Sequence, residues 1–265
     1  MSDEFRLDAT LRDRWRATES GHRFTFPDGW LQGRSVFGGL TGAAVAALGA
    51  RQVGPDWALR TASVQLLRPV AGGDVDARAV VLREGKGTTF VEVRLAQAGV
   101  EVATASLVFV RPRAGSLEVS PAPPPPAVDP EALRDLPYVP GVVPEFTRNV
   151  QMRWASGAPP FAGSASTRFD GYCRFRVPAG DAEGLLAMLD VWPSPSLGML
   201  SKPAFASTVT WTAHLVAAPA RHEGWFHFEY EVAAGSLGFH TVVGRLFAPD
   251  GTLAGWTEQL VALFD

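Results

Sequence analysis

Asp190 closes the apolar run Leu185-Leu186-Ala187-Met188-Leu189 and is followed by Val191-Trp192-Pro193. An acid among apolar neighbours loses hydration, which raises its pKa toward the range where a carboxylate accepts a proton from water. The competing reading is a surface aspartate at a helix end, where the negative end of the helix dipole disfavours it. The local residues leave both readings open. In the strand-like run 207–216, a period of two puts Thr208, Thr210, Thr212 and His214 on one face and Val209, Trp211, Ala213 and Leu215 on the other. The polar face is either solvated surface or the lining of a site. Gln259, in Trp256-Thr257-Glu258-Gln259-Leu260, is a further polar residue that needs no function to explain it. Gly38-Gly39 opens a helical run whose first N–H groups and positive dipole end can hold an oxyanion, or whose glycines serve close packing.

The familiar alternatives to water chemistry are missing from the sequence. It contains no Gly-x-Ser-x-Gly elbow, no Gly-x-x-x-x-Gly-Lys-Ser/Thr phosphate loop, no His-Glu-x-x-His and no Gly-x-Gly-x-x-Gly after a strand. The five histidines, His22, His214, His222, His227 and His240, lack the spacing of a metal site and read as solvent-facing or locally bonded. Cys173, the single cysteine, reads as a half-buried strand thiol in Tyr172-Cys173-Arg174-Phe175. The expectation is hydrolysis or hydration by a positioned water, with no cofactor and no metal.

Several elements must position these groups. The run Leu40, Ala44, Ala47, Leu48, Arg51 has helical spacing, and its alanines and glycines let a helix lie close to a sheet. Strands are expected at 58–70, 75–83, 88–97 and 100–111, the last two joined at Ala98-Gly99. Pro121, Pro123 to Pro126 and Pro130 form an extended linker. Beyond it a strand at 171–177, a helix at 181–190 and strands at 207–217, 225–233, 239–248 and 252–264 repeat the order. The turns match too, Glu84-Gly85-Lys86-Gly87 with Gly235-Ser236-Leu237-Gly238 and Ala98-Gly99 with Pro249-Asp250-Gly251. Helix first and strands after is an α+β pattern. One helix on a curved antiparallel sheet, repeated, is a tandem double hotdog with a long central helix in each module. The expected boundaries are 1–119 for the first module, 120–145 for the linker and 146–265 for the second.

Composition narrows the partners. With 46% hydrophobic and 19% charged residues and a net charge of -3, the chain reads as globular and lacks the basic balance of a nucleic-acid binder. Early charges of both signs argue against a signal peptide, and no apolar stretch reaches the ~20 residues of a membrane span. A cytoplasmic location is expected.

Val36-Phe37-Gly38-Gly39, Leu66-Leu67-Arg68-Pro69 and Leu82-Arg83-Glu84-Gly85 stand in the order and spacing of the acyl-CoA thioesterase II family of double hotdog enzymes, which the chain resembles from about Phe26 to Leu263. The resemblance implies an acyl-CoA substrate and a catalytic aspartate after the second helix, a threonine on the next strand and a glutamine on the last. These fall on Asp190, on Thr208 with Thr210 as the alternative, and on Gln259, eight residues after Gly251. In the mechanism expected for these residues, Gly38 and Gly39 are substrate-binding, with backbone N–H near Gly39 polarising the thioester oxygen. Where the best-known members carry an Asp-His pair two and three residues after the threonine, this chain has Thr210 and Trp211, which implies an altered pocket. A hotdog hydratase or dehydratase and a non-catalytic acyl-binding module are the competing classes. Exposed sheet edges imply a homo-oligomer.

Overall fold

A helix can sit deep against a sheet only if its side chains are small. In the computed structural model, which describes residues 5–8, 10–117, 119, 128–216 and 223–264, that helix follows a short lead-in. Helix α1 (Leu11–Arg14) and strands β1 (Arg16–Thr18), β2 (Gly21–Phe26), β3 (Leu31–Gln32) and β4 (Ser35–Val36) come first, then helix α2 (Gly38–Val53). From Gly39 to Ala50 every residue of α2 is buried, so its apolar character on all sides matches its place. Strands β5 (Ala58–Leu66), β6 (Gly73–Glu84), β7 (Thr88–Gln97) and β8 (Val100–Val110) pack on it.

The second half contains β9 (Val150–Gly157), β10 (Arg168–Phe175), α3 (Asp181–Met188), α4 (Ser196–Met199), β11 (Phe205–Leu215), β12 (Phe226–Ser236), β13 (Phe239–Phe247) and β14 (Leu253–Phe264). Its central helix is half the length of α2 and stops at Met188, so the expected extension to Asp190 is not helical. Strands β1, β2 and β9 were not foreseen; charged residues at Arg23 and Arg153 interrupt apolar patterns that the sheet nonetheless pairs. The linker prolines Pro121 and Pro123 to Pro126, and Ala217, lie outside the described residues. The later linker is docked: Arg153 holds Asp135 and Glu131 at 2.6 and 2.8 Å, and Trp225 Nε1 donates to Glu131.

All twelve longer strands form one antiparallel sheet in the order β1-β2-β6-β7-β8-β5-β11-β14-β13-β12-β10-β9. The halves therefore share a sheet through β5 and β11, and α2 packs against α3. Pairing registers expose the duplication that side-chain identity hides. On one side Leu59 pairs with Phe109, a bulge follows, and Thr61 and Ala62 pair with Val108 and Leu107. On the other Thr208 pairs with Val261, a bulge follows, and Thr210 and Trp211 pair with Leu260 and Gln259. Ser63 and Thr212, at the same position in the two halves, pair with each other at the centre.

The bulge corrects the expected faces of β11. Trp211, Ala213 and Leu215 are buried inward, and Thr210, Thr212 and His214 face outward as the period of two requires. An extra residue at Val209 shifts the phase, so Thr208 returns to the inner side.

Candidate active site

The three polar residues singled out in the sequence meet at one point. Gln259 lies on β14 with 4% of its surface exposed, an amide that must find partners within the protein. Its Nε2 donates to Asp190 Oδ1 at 2.8 Å, and its Oε1 accepts from Thr208 Oγ1 at 2.7 Å. Because the amide oxygen receives the hydroxyl proton, Thr208 keeps its own lone pairs for another donor. Thr210 faces away, exposed, and plays no part in this chain of bonds.

Asp190 stands just past α3, its N–H bonded to the Ala187 carbonyl at 3.2 Å. Leu189, Val191 and Trp192 beside it are buried, while Asp190 keeps a partly exposed surface. Burial pushes its carboxyl from 3.8 to about 7, against the opposing pull of the bonds from Gln259 and from the Gly39 N–H. The dipole objection is answered by geometry: Asp190 does follow the C-terminus of α3, but its carboxylate rests on the N-terminus of α2, whose positive end favours an anion. The glycines are needed there. A Cβ on Gly38 would lie 2.6 Å from Asp190 Oδ2, and one on Gly39 would lie 2.6 Å from the Ala187 carbonyl. Since Gly39 gives its N–H to Asp190, that group is not free for an oxyanion as the sequence reading had it.

Acyl-CoA thioesterase domain profiles match both halves, the N-terminal domain over residues 26–110 and the C-terminal domain over 118–263. The chain belongs to the acyl-CoA thioesterase family. No curated protein sequence matches it. Among solved structures, a protein of unknown function with a hotdog fold from Alicyclobacillus acidocaldarius is 20% identical, with a TM-score of 0.84 and coverage of 97% of this chain and 98% of that one. The acyl-CoA thioesterase II TesB2 of Mycobacterium marinum is 15% identical, with a TM-score of 0.77 and the same coverages. The tesB protein of Mycobacterium avium subs paratuberculosis is 14% identical at a TM-score of 0.80, again over 97% and 98%. At these identities the likeness establishes the hotdog fold alone.

Three further residues stand by the candidate site, two of which the sequence reading missed. Tyr230 is buried, and its phenol is pushed well above its ordinary value by burial and by the Asp190 charge. Ser196, fully buried, bonds His240 Nδ1 at 2.6 Å and fastens α4, which follows the Asp190 turn. Trp211, register partner of Gln259, fills the inner face beside it. Only Trp211 left a trace in the sequence, as a departure from the family's pattern. Of the remaining described histidines, His227 is bonded to Asp170 and His214 to Thr61, while His22 Nδ1 is buried without a partner. Cys173 is sealed in the core, which raises its thiol to about 12 and makes it a poor nucleophile.

Proposed function

We propose that this protein hydrolyses an acyl-CoA thioester by general-base attack of water. The observation that carries the reading is the bond sequence Thr208 to Gln259 to Asp190, which ends on a carboxyl raised to about 7 at the start of α2. Water gives one proton to Asp190 as its oxygen bonds the thioester carbon, and Thr208 Oγ1 accepts its other hydrogen. Gln259, neutral, fixes the orientation of both. Collapse of the tetrahedral intermediate breaks the C–S bond, and the leaving thiolate takes the proton back from Asp190. With the Gly39 N–H on Asp190 and the Thr41 N–H on the Phe37 carbonyl, the first-turn N–H groups of Gly38 and Leu40 are left to meet the developing negative charge.

The repeated registers support two hotdog modules, 1–119 and 146–265, joined by 120–145, with the chemistry in the second. A homo-oligomer is proposed from the uncovered edges of the sheet, and light scattering over micromolar concentrations tests it. The decisive assay is free-thiol release from a panel of acyl-CoAs. Appearance of CoA with the free acid supports hydrolysis; a hydroxyacyl-CoA would point to hydration, and binding without product to an acyl-binding module.

A further inference from the structure

We propose that Trp211 is the wall that ends the acyl pocket and restricts this enzyme to short, compact acyl groups. The inference rests on the hydrolysis reading for the position of the reacting carbon, and on packing for the rest. Gly38 and Gly42 lie one turn apart on the same side of α2. Above Gly38 is the Asp190 carboxylate, and above Gly42 is the Trp211 indole, where a Cβ on Gly42 would lie 2.4 Å from the ring. The indole therefore stands about 6 Å along the helix from the acid.

Trp211 is held there from two sides. It is 1% exposed, and its Nε1 donates to Thr257 Oγ1 at 2.6 Å, a buried hydroxyl with no solvent to exchange for. As register partner of Gln259 on the same face of the sheet, it closes the inner side of the site between sheet and helix. After a van der Waals contact of about 3.5–4 Å is subtracted, only a few methylenes fit between the reacting carbon and the ring. The other half shows the alternative. There the position of Trp211 is taken by Ala62, which leaves that side of the helix without an indole against it.

The test compares the full-length wild type with Trp211→Ala and Trp211→Phe. One measurement is kcat/KM for butyryl-, octanoyl- and dodecanoyl-CoA. The other is the Kd of the non-hydrolysable thioethers S-butyl-, S-octyl- and S-dodecyl-CoA. Wild type should favour the butyl compounds by at least about tenfold, and Trp211→Ala should shift the dodecyl-to-butyl ratio by at least about tenfold, mainly through KM, with Trp211→Phe between. A merely structural tryptophan would lower all substrates together and leave the ratio unchanged. If Trp211→Ala does not fold, Trp211→Phe still has to move the ratio. Wild type that handles dodecanoyl-CoA as well as butyryl-CoA, or folded variants with the wild-type profile, would overturn the proposal. Absence of thiol release with every substrate would instead sink the hydrolysis reading, and the thioether affinities would still decide the wall.

Discussion

Strands β5 and β11 run side by side through the middle of the sheet, carry the same bulge and face two buried helices, yet they do different work. Where β11 and β14 bring Thr208 and Gln259 to the inner face, β5 and β8 bring Leu59 and Leu107. One half spends buried positions on an amide, a hydroxyl and a carboxyl. At the register equivalents of the hydroxyl and the amide its counterpart has the hydrocarbon of Leu59 and Leu107. The lengths of the helices follow the same division: α2 is long and buried from Gly39 to Ala50, whereas α3 ends at Met188 and Asp190 lies beyond it, against the start of α2. On the proposed reading a shared framework carries the chemistry in one half, and the other half contributes to it through Gly38 and Gly39, on which Asp190 rests.

The widest separation between the halves should appear on removing the charge from Asp190. Asp190→Asn preserves shape and lowers kcat by roughly 100 to 10,000-fold, the usual contribution of a general base. Thr208→Val and Gln259→Ala each lower kcat by less, and combining either with Asp190→Asn adds little, because all three act on one water. Thiol-release kinetics beside a thermal melt check this. Retention of more than about half the wild-type kcat by folded Asp190→Asn would remove the functional difference between the halves.

The dependence of one half on the other is broken by Gly38→Ala. Its Cβ would lie 2.6 Å from Asp190 Oδ2 and within 4 Å of nothing but that carboxylate, so the acid must move. Misplacing a catalytic group by about 1 Å costs on the order of 100-fold, and kcat should fall accordingly with a modest drop in melting temperature. Wild-type turnover in Gly38→Ala would show that α2 does not set the position of Asp190.

A third effect is a pH profile. A base with a pKa of about 7 must be ionised to work, so kcat/KM should rise about tenfold per unit below pH 7 and level above it. Stability runs the other way. The folded carboxyl binds its proton more tightly than the unfolded chain at 3.8, so its contribution is full below about pH 4 and is lost as pH rises through 7. Asp190→Asn should therefore melt higher than wild type at pH 8, with the gap closing toward pH 4. A gap that does not change with pH would mean that the carboxyl is not raised by the fold.

Much of this arrangement was readable in the residues. The small-residue helix, the four strands after it and their second set stand close to where hydrophobic periodicity put them, because each follows one uninterrupted pattern. The apolar neighbours of Asp190 left its role open, and the family resemblance was what favoured it as the acid of the site. What the sequence concealed were features with no periodic signature: the bulge at Val209, which moved Thr208 off the face it was expected to share with Thr210, and the joining of both halves into one sheet. The match between Thr208 and Leu59, or between Gln259 and Leu107, was invisible because the residues differ in kind, and only backbone register relates them.

The smallest expected effect on turnover comes from giving the first half the residues of the second. Leu59→Thr and Leu107→Gln reproduce the hydroxyl and the amide at register-equivalent places. Neither carboxyl there matches Asp190: of the two that bound the cavity beside Leu59, Asp181 is exposed at the start of α3, and Glu183 is engaged by Arg12 at 2.7 Å. The double variant should leave kcat unchanged. Its cost is in stability, because Leu107 is fully buried and an amide in its place gives up hydrocarbon contact and must find new hydrogen bonds. A loss of about 1–3 kcal/mol in denaturant unfolding is expected for that substitution, with a smaller share from Leu59→Thr at a less sealed position. A rise in thiol release above wild type would show instead that the first half retains a latent base. The acid, and not the bulge or the polar pair beside it, would then have been the wrong place to draw the distinction between the two halves.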